Sequence, residues 1–226
     1  MKRFYTAVEV TAENGILLDR RPVRTPAKAL LILPNPILAA AVAEEWRAQG
    51  DDIDPHSMPL TGLANAAIDR VAPDTTLFAS GLSAYGESEL LCYRAAEPQP
   101  LVERQNAVWN PLLEWAQTRF GISFTVVTGI MHQPQPSKTL ARLSVAMAAH
   151  DSFQLAAMSP IVTIGGSLVL ALAVAEGVLT PESAFDAAHL DELWQEEMWG
   201  ADHFALLTRA VHRTDFLAAC TFFELT

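Results

Sequence analysis

Met158-Ser-Pro-Ile-Val-Thr-Ile-Gly-Gly-Ser-Leu-Val-Leu-Ala-Leu-Ala-Val-Ala-Glu-Gly-Val-Leu179 is the stretch on which the fold turns. Its 22 residues are long enough for a bilayer span, and Glu176 is its only strongly polar member. Against a span stand Gly165-Gly166-Ser167 inside the run, Glu176 near its end, and the lack of flanking Lys or Arg to set an orientation. The stretch is expected to form two buried helices broken at the glycines, with Ser167 capping the second. No membrane insertion is expected.

Downstream, the chain holds no Lys or Arg between Arg142 and Arg209, yet it carries nine carboxylates there. The run Leu190-Asp-Glu-Leu-Trp-Gln-Glu-Glu-Met-Trp-Gly200 is the densest part. A helix that uses charge only for solubility mixes signs, whereas Glu192 and Glu196 are like charges four residues apart and mildly destabilise an isolated helix. A one-signed face beside tryptophan points to a binding surface for a cationic or polar partner.

The whole chain has 226 residues, is half apolar and carries a net charge of −11, which bounds its class. That length allows one large domain or two small ones. The acidic balance argues against nucleic acid as a partner, because neutralising phosphates needs clustered Lys and Arg. The charge is uneven: residues 1–28 hold six cations against three carboxylates, so the remainder is more acidic than the total. Cys92 and Cys220 are the only cysteines and read as buried free thiols. The start lacks the apolar run of a secretory signal, which leads to the expectation of a bacterial-type cytoplasmic protein.

Upstream, Phe4 to Val10 and Ile16 to Asp19 read as strands around the turn Glu13-Asn14-Gly15. A second extended pair is expected near Val23 and from Leu30 to Leu33. Asn35-Pro36 then opens a helix in the preferred order of cap and first-turn proline, running to Gln49. Beyond Asp54-Pro55 the pattern is helical: Leu60 to Val71, Thr75 to Tyr85, Leu101 to Phe120 and Lys138 to His150. An acidic helix is expected from Thr180-Pro181-Glu182 and a last helix from Asp202 to Phe223. The expected fold is α+β in two domains, a small strand-containing domain over 1–56 and a larger, mainly α-helical domain over 57–226.

Catalytic motifs are missing. There is no GxSxG elbow, P-loop, GxGxxG or HExxH, and Ser167 reads as a helix cap. One constellation is weighed: His189, Glu192, Glu196 and His203 at helical spacing could supply a metal or general acid–base site, which would make a metal-dependent hydrolase. A dinuclear site would need a matching Glu-x-x-His helix, and none is present. No cofactor is expected. Trp109 and Trp115, six apart, do not share a helix face and read as core, whereas Trp199 beside Glu196 and before Gly200 reads as an interface anchor.

Six stretches in register carry a family likeness: Asp19 to Pro26, Glu45-Trp-Arg-Ala-Gln49, Met58 to Arg70, Leu91-Cys-Tyr-Arg94, Trp109-Asn-Pro-Leu-Leu-Glu-Trp115 and Leu190 to Gly200. Over nearly the whole chain the sequence resembles the F1-ATPase assembly chaperones that bind the alpha subunit of ATP synthase. The resemblance implies a non-enzymatic two-domain protein that covers unassembled alpha subunit until the F1 hexamer forms. It also implies a mitochondrial matrix location in eukaryotic relatives. It places emphasis on Trp46, as a residue serving folding, and on Asp191, Gln195, Trp199 and Gly200. Glu192 and Glu196 join these from helical geometry, and the expected partner-binding set is Asp191, Glu192, Gln195, Glu196, Trp199, Gly200 and Asp202.

Overall fold

Asn14 takes a positive φ of 62° and, with Gly15, closes the first hairpin. The computed structural model describes residues 1–226. Strands β1 (Val8–Val10) and β2 (Ile16–Leu18) pair antiparallel with Val8 opposite Leu18 and Val10 opposite Ile16. Ile16 and Leu18 are buried, so this face of the pleat forms the core. Asp19 and Arg20 both have positive φ, 47° and 65°, the geometry of a two-residue hairpin turn, and lead into β3 (Arg21–Pro22). That backbone is held by Asp19 Oδ1, which accepts from the Thr6 and Ala7 amides at 3.1 and 2.8 Å. Two expected strands are shorter than read. Phe4 to Thr6 is not in the ladder, and Leu30 to Leu33 makes only isolated bridges, Leu30 to Arg24 and Ile32 to Gly15.

Helix α1 (Pro36–Arg47) starts where Asn35 Oδ1 accepts from the Leu38 amide at 2.9 Å. The Asn35 amide group also donates to the Leu225 carbonyl at 2.7 Å, tying the last residues of the chain to the helix start. Leu38, Val42 and Ala43 pack on Ile16, Leu31, Leu33, Ala64, Ala157 and Phe222. Trp46 is half-buried, lies edge-on to Tyr5 at 5.9 Å, and packs against both small cores of this region. Glu45 accepts from the Leu60 and Thr61 amides and the Thr61 hydroxyl, each at 2.7 Å, which places a carboxylate at the positive end of α2 (Pro59–Ala66). A wider helical turn, Ala67–Val71, follows, and Asp69 on it accepts from the Thr25 hydroxyl at 2.6 Å. By contacts, the first compact unit comprises Met1–Thr75, Asp151–Met158 and Ala218–Thr226, so residues 57–75 pack with the N-terminal unit.

The second unit comprises Thr76–His150 and Ser159–Leu217. Along the chain come α3 (Thr75–Ser83), β4 (Tyr93–Arg94), α4 (Gln99–Phe120), β5 (Val127–Thr128) and α5 (Ser137–Ala148). Strands β4 and β5 pair in parallel, with Tyr93 opposite Val127 and Arg94 opposite Thr128. Then come α6 (Ser152–Gly165) and α7 (Leu168–Ala175), separated at Gly166-Ser167. Seven consecutive residues, Leu168 to Val174, are buried in α7. An eight-residue helix is about 12 Å long, far short of a ~30 Å hydrocarbon layer, and no helix is long and apolar enough to cross a membrane. Its N-terminus is doubly capped. Ser167 Oγ accepts from the Leu170 amide at 3.0 Å, and the buried Glu89 carboxylate accepts from the Leu168 and Val169 amides and the Ser167 hydroxyl.

The expected single acidic helix is two: α8 (Pro181–Ala188), capped by Thr180, and α9 (Leu190–Trp199). The break is at His189, whose ring turns inward, stacks on Phe185 at 4.0 Å and bonds the Phe185 carbonyl through Nδ1 at 2.9 Å. Helix α10 (His203–Glu224) completes the chain.

Candidate partner-binding site

Helix α9 is held on α4 by one face. Leu190 and Trp194 are buried beside Leu101, Trp109 and Leu113, and the Trp109 indole donates to the Ala187 carbonyl at 2.9 Å. Two polar clamps flank this seam: Gln105 donates to Asp191 Oδ1 at 2.8 Å, and Arg104 forks onto Glu197 at 2.9 and 2.8 Å. That bidentate bond holds the Glu197 carboxyl below its usual range. The opposite face carries Glu192, Gln195, Glu196 and Trp199, at i, i+3, i+4 and i+7.

Gly200, with φ of +87°, ends α9 in a backbone region that side chains strain to adopt. Asp202 then caps α10, its Oδ1 accepting from the Ala205 amide at 2.9 Å. The tight connection folds α10 back across the free face of α9. Between them lies an open cleft of about 440 Å³, lined by Glu192, Gln195, Glu196, Trp199, Gly200 and Asp202 from the first side and the turn. Ala205, Leu206, Thr208, Arg209 and His212 line it from α10.

Arg209 pairs with Glu196 and is largely buried in doing so. Glu192 has no ion-pair partner and is exposed, so it is the uncommitted carboxylate of the cleft. The Trp199 ring lies edge-on to the buried Trp194 at 5.5 Å while remaining 74% exposed. One tryptophan thus anchors the helix and the next is propped outward by it.

Six of the seven residues read from the sequence as partner-binding therefore converge on this cleft. Asp191 does not; it faces α4 through Gln105. The alternative metal or acid–base site is not assembled, because His189 is buried against Phe185 and turned from Glu192 and Glu196, and no group of three His, Cys, Asp or Glu side chains is placed to hold a metal ion. The α10 wall was missed by sequence reading. Its signal was Gly200 followed by the cap Asp202, which announces a helical hairpin and makes Ala205, Arg209 and His212, at 3.6-residue spacing, face α9.

The structure thus brings together a small sheet-bearing unit, a larger helical unit and, in the latter, an open cleft rimmed by carboxylates and an exposed tryptophan. The chain belongs to the ATP12 chaperone protein family, whose pattern matches residues 2–117. The crystal structure of Atp12 from Paracoccus denitrificans is 38% identical and superposes with a TM-score of 0.94 over 100% of this chain and 98% of that one. A solved protein of Agrobacterium tumefaciens is 42% identical, with a TM-score of 0.93, over 99% of this chain and 85% of that one. The mitochondrial protein atp12 of Schizosaccharomyces pombe is 25% identical over 215 residues, 88% of this chain and 74% of that protein. The mainly helical α+β architecture is that of the Paracoccus protein along its whole length.

Proposed function

We propose that this chain is an assembly chaperone of F1-ATPase that binds the unassembled alpha subunit, acts in the cytoplasm of a bacterium, and uses the cleft between α9 and α10 for capture. Membership of the chaperone family supports the class. The observation that carries the site is the convergence of Glu192, Trp199 and Asp202 on one open cleft. An unpaired subunit of an obligate oligomer exposes an apolar-cored interface that aggregates. A chaperone must cover such a surface selectively and still let go. Rim carboxylates give rate and selectivity through charge-assisted bonds, and one exposed indole supplies an anchor, without the area of a permanent interface.

The test is capture of F1 alpha and F1 beta subunits, each expressed alone, by the purified chain. Retention and solubilisation of alpha but not beta is the expected result, with Glu192→Lys weakening capture at unchanged melting temperature. Equal retention of both subunits, or of neither, would sink the proposal.

A further inference from the structure

The first turns of α10 have a second side. Phe204, Leu207 and Val211 stand at i, i+3 and i+7, and they are 77%, 53% and 59% exposed. At 3.6 residues per turn this stripe lies roughly 130° around the helix from Ala205, Arg209 and His212, which face the cleft. It therefore belongs neither to the cleft nor to the packing of α9. Three large apolar side chains aligned on one exposed helical face are unusual on a protein surface and mark an interaction site.

We infer that this outer face of α10 is a docking helix that inserts Phe204, Leu207 and Val211 into an apolar groove of a protein partner, a groove rimmed by Lys or Arg. The i, i+3, i+7 spacing is the anchor pattern by which an amphipathic helix is read by a groove. The choice of rim follows from charge. Asp215, one turn beyond Val211 on the same side of the helix, is exposed. The cations of this half of the helix are committed elsewhere: Arg209 to Glu196, and Arg213 over the Phe185 ring at 5.7 Å. A lipid surface fits poorly, since interfacial helices carry free Lys and Arg on their polar side. A second copy of the chain fits poorly too, because it would bring two acidic rims together on molecules of net charge −11.

The inference rests on the reading that the α9–α10 hairpin captures a subunit, and adds a second, apolar contact to it. It is tested with the double variant Leu207→Ser plus Val211→Ser, using isolated F1 alpha subunit as the probe and Glu192→Lys as the comparison. Binding about tenfold weaker, at a melting temperature equal to that of the parent chain, is expected. Affinity equal to the parent's while Glu192→Lys binds poorly overturns the docking face and leaves the proposed function standing. Failure of the parent chain itself to bind alpha overturns both, and is distinguishable because it precedes any substitution. Two further measurements use the same proteins. Parent chain that co-sediments with phosphatidylglycerol–phosphatidylcholine vesicles, or that dimerises in sedimentation velocity, with the double variant doing neither, assigns the stripe to lipid or to self-association and overturns the inference.

Discussion

Glu89 shows how one residue can set a property of the whole fold. Its carboxylate is fully buried, and it satisfies the Leu168, Val169 and Leu91 amides and the Ser167 hydroxyl. Burial nevertheless dominates and raises its pKa above the ordinary 4.5, with the hydrogen bonds only partly offsetting it. The folded chain then keeps this proton to higher pH than the unfolded chain does. The associated stability is complete below the ordinary glutamate range and is lost as pH rises through the folded value. Glu89→Gln should therefore flatten the decline of melting temperature as pH rises above about 4.5, the ordinary value. It should also cost about 1–3 kcal/mol throughout, because an amide nitrogen would face backbone donors. Calorimetry of both proteins across that range is the check, and parallel curves would show that the slope comes from elsewhere. Cys92 is inert by the same physics: burial, then the Glu89 charge, push its thiol up to about 12.

At the scale of elements, the hairpin of α9 and α10 separates two carboxylates that look equivalent in the sequence. Glu192 and Glu196 sit one turn apart on the same face, and either could be the contact residue on periodicity alone. The structure distinguishes them by partner, since Glu196 is locked to a largely buried Arg209 and Glu192 is not paired. Glu196→Lys should thus remove a partly buried pair and set two cations against each other, lowering stability by about 2–4 kcal/mol and loosening α10 from α9. Glu192→Lys should leave the melting temperature within about 0.5 kcal/mol equivalent of the parent. A urea titration of both variants reads this directly, and equal midpoints would mean that the Arg209 pair does not hold the hairpin. Sequence pattern was sufficient for the starts of α1, α7 and α8, because caps such as Asn35, Ser167 and Thr180 act locally. It was insufficient at His189, where the break depends on a ring that finds Phe185, and at Leu30 to Leu33, where pairing depends on residues distant in the chain.

At the scale of the molecule, the change from strand to helix pattern beyond Asp54-Pro55 put the boundary at residue 56, whereas contacts carry the first unit to Thr75 and recruit Asp151–Met158 and Ala218–Thr226 into it. Such a pattern is local, and recruitment of distant segments such as Phe222 beside Leu38 leaves no trace in it. Charge distribution, by contrast, was legible at once, since it needs no partner to be read: six cations in the first 28 residues, and no Lys or Arg from 143 to 208. That asymmetry predicts how capture depends on salt. If carboxylates of the α9–α10 cleft steer a partner, the attraction acts over a screening length of about 10 Å at 0.1 M salt and about 3 Å at 1 M. The association rate with alpha subunit should then fall about tenfold between 0.05 and 0.5 M NaCl, while the dissociation rate, set by short contacts of Trp199 and its surroundings, changes less. Glu192→Lys should show a shallower salt slope than the parent chain. Stopped-flow association over that range separates the two mechanisms: a flat slope in the parent would assign capture to apolar contact alone, and Phe204, Leu207 and Val211 would then be the first residues to alter.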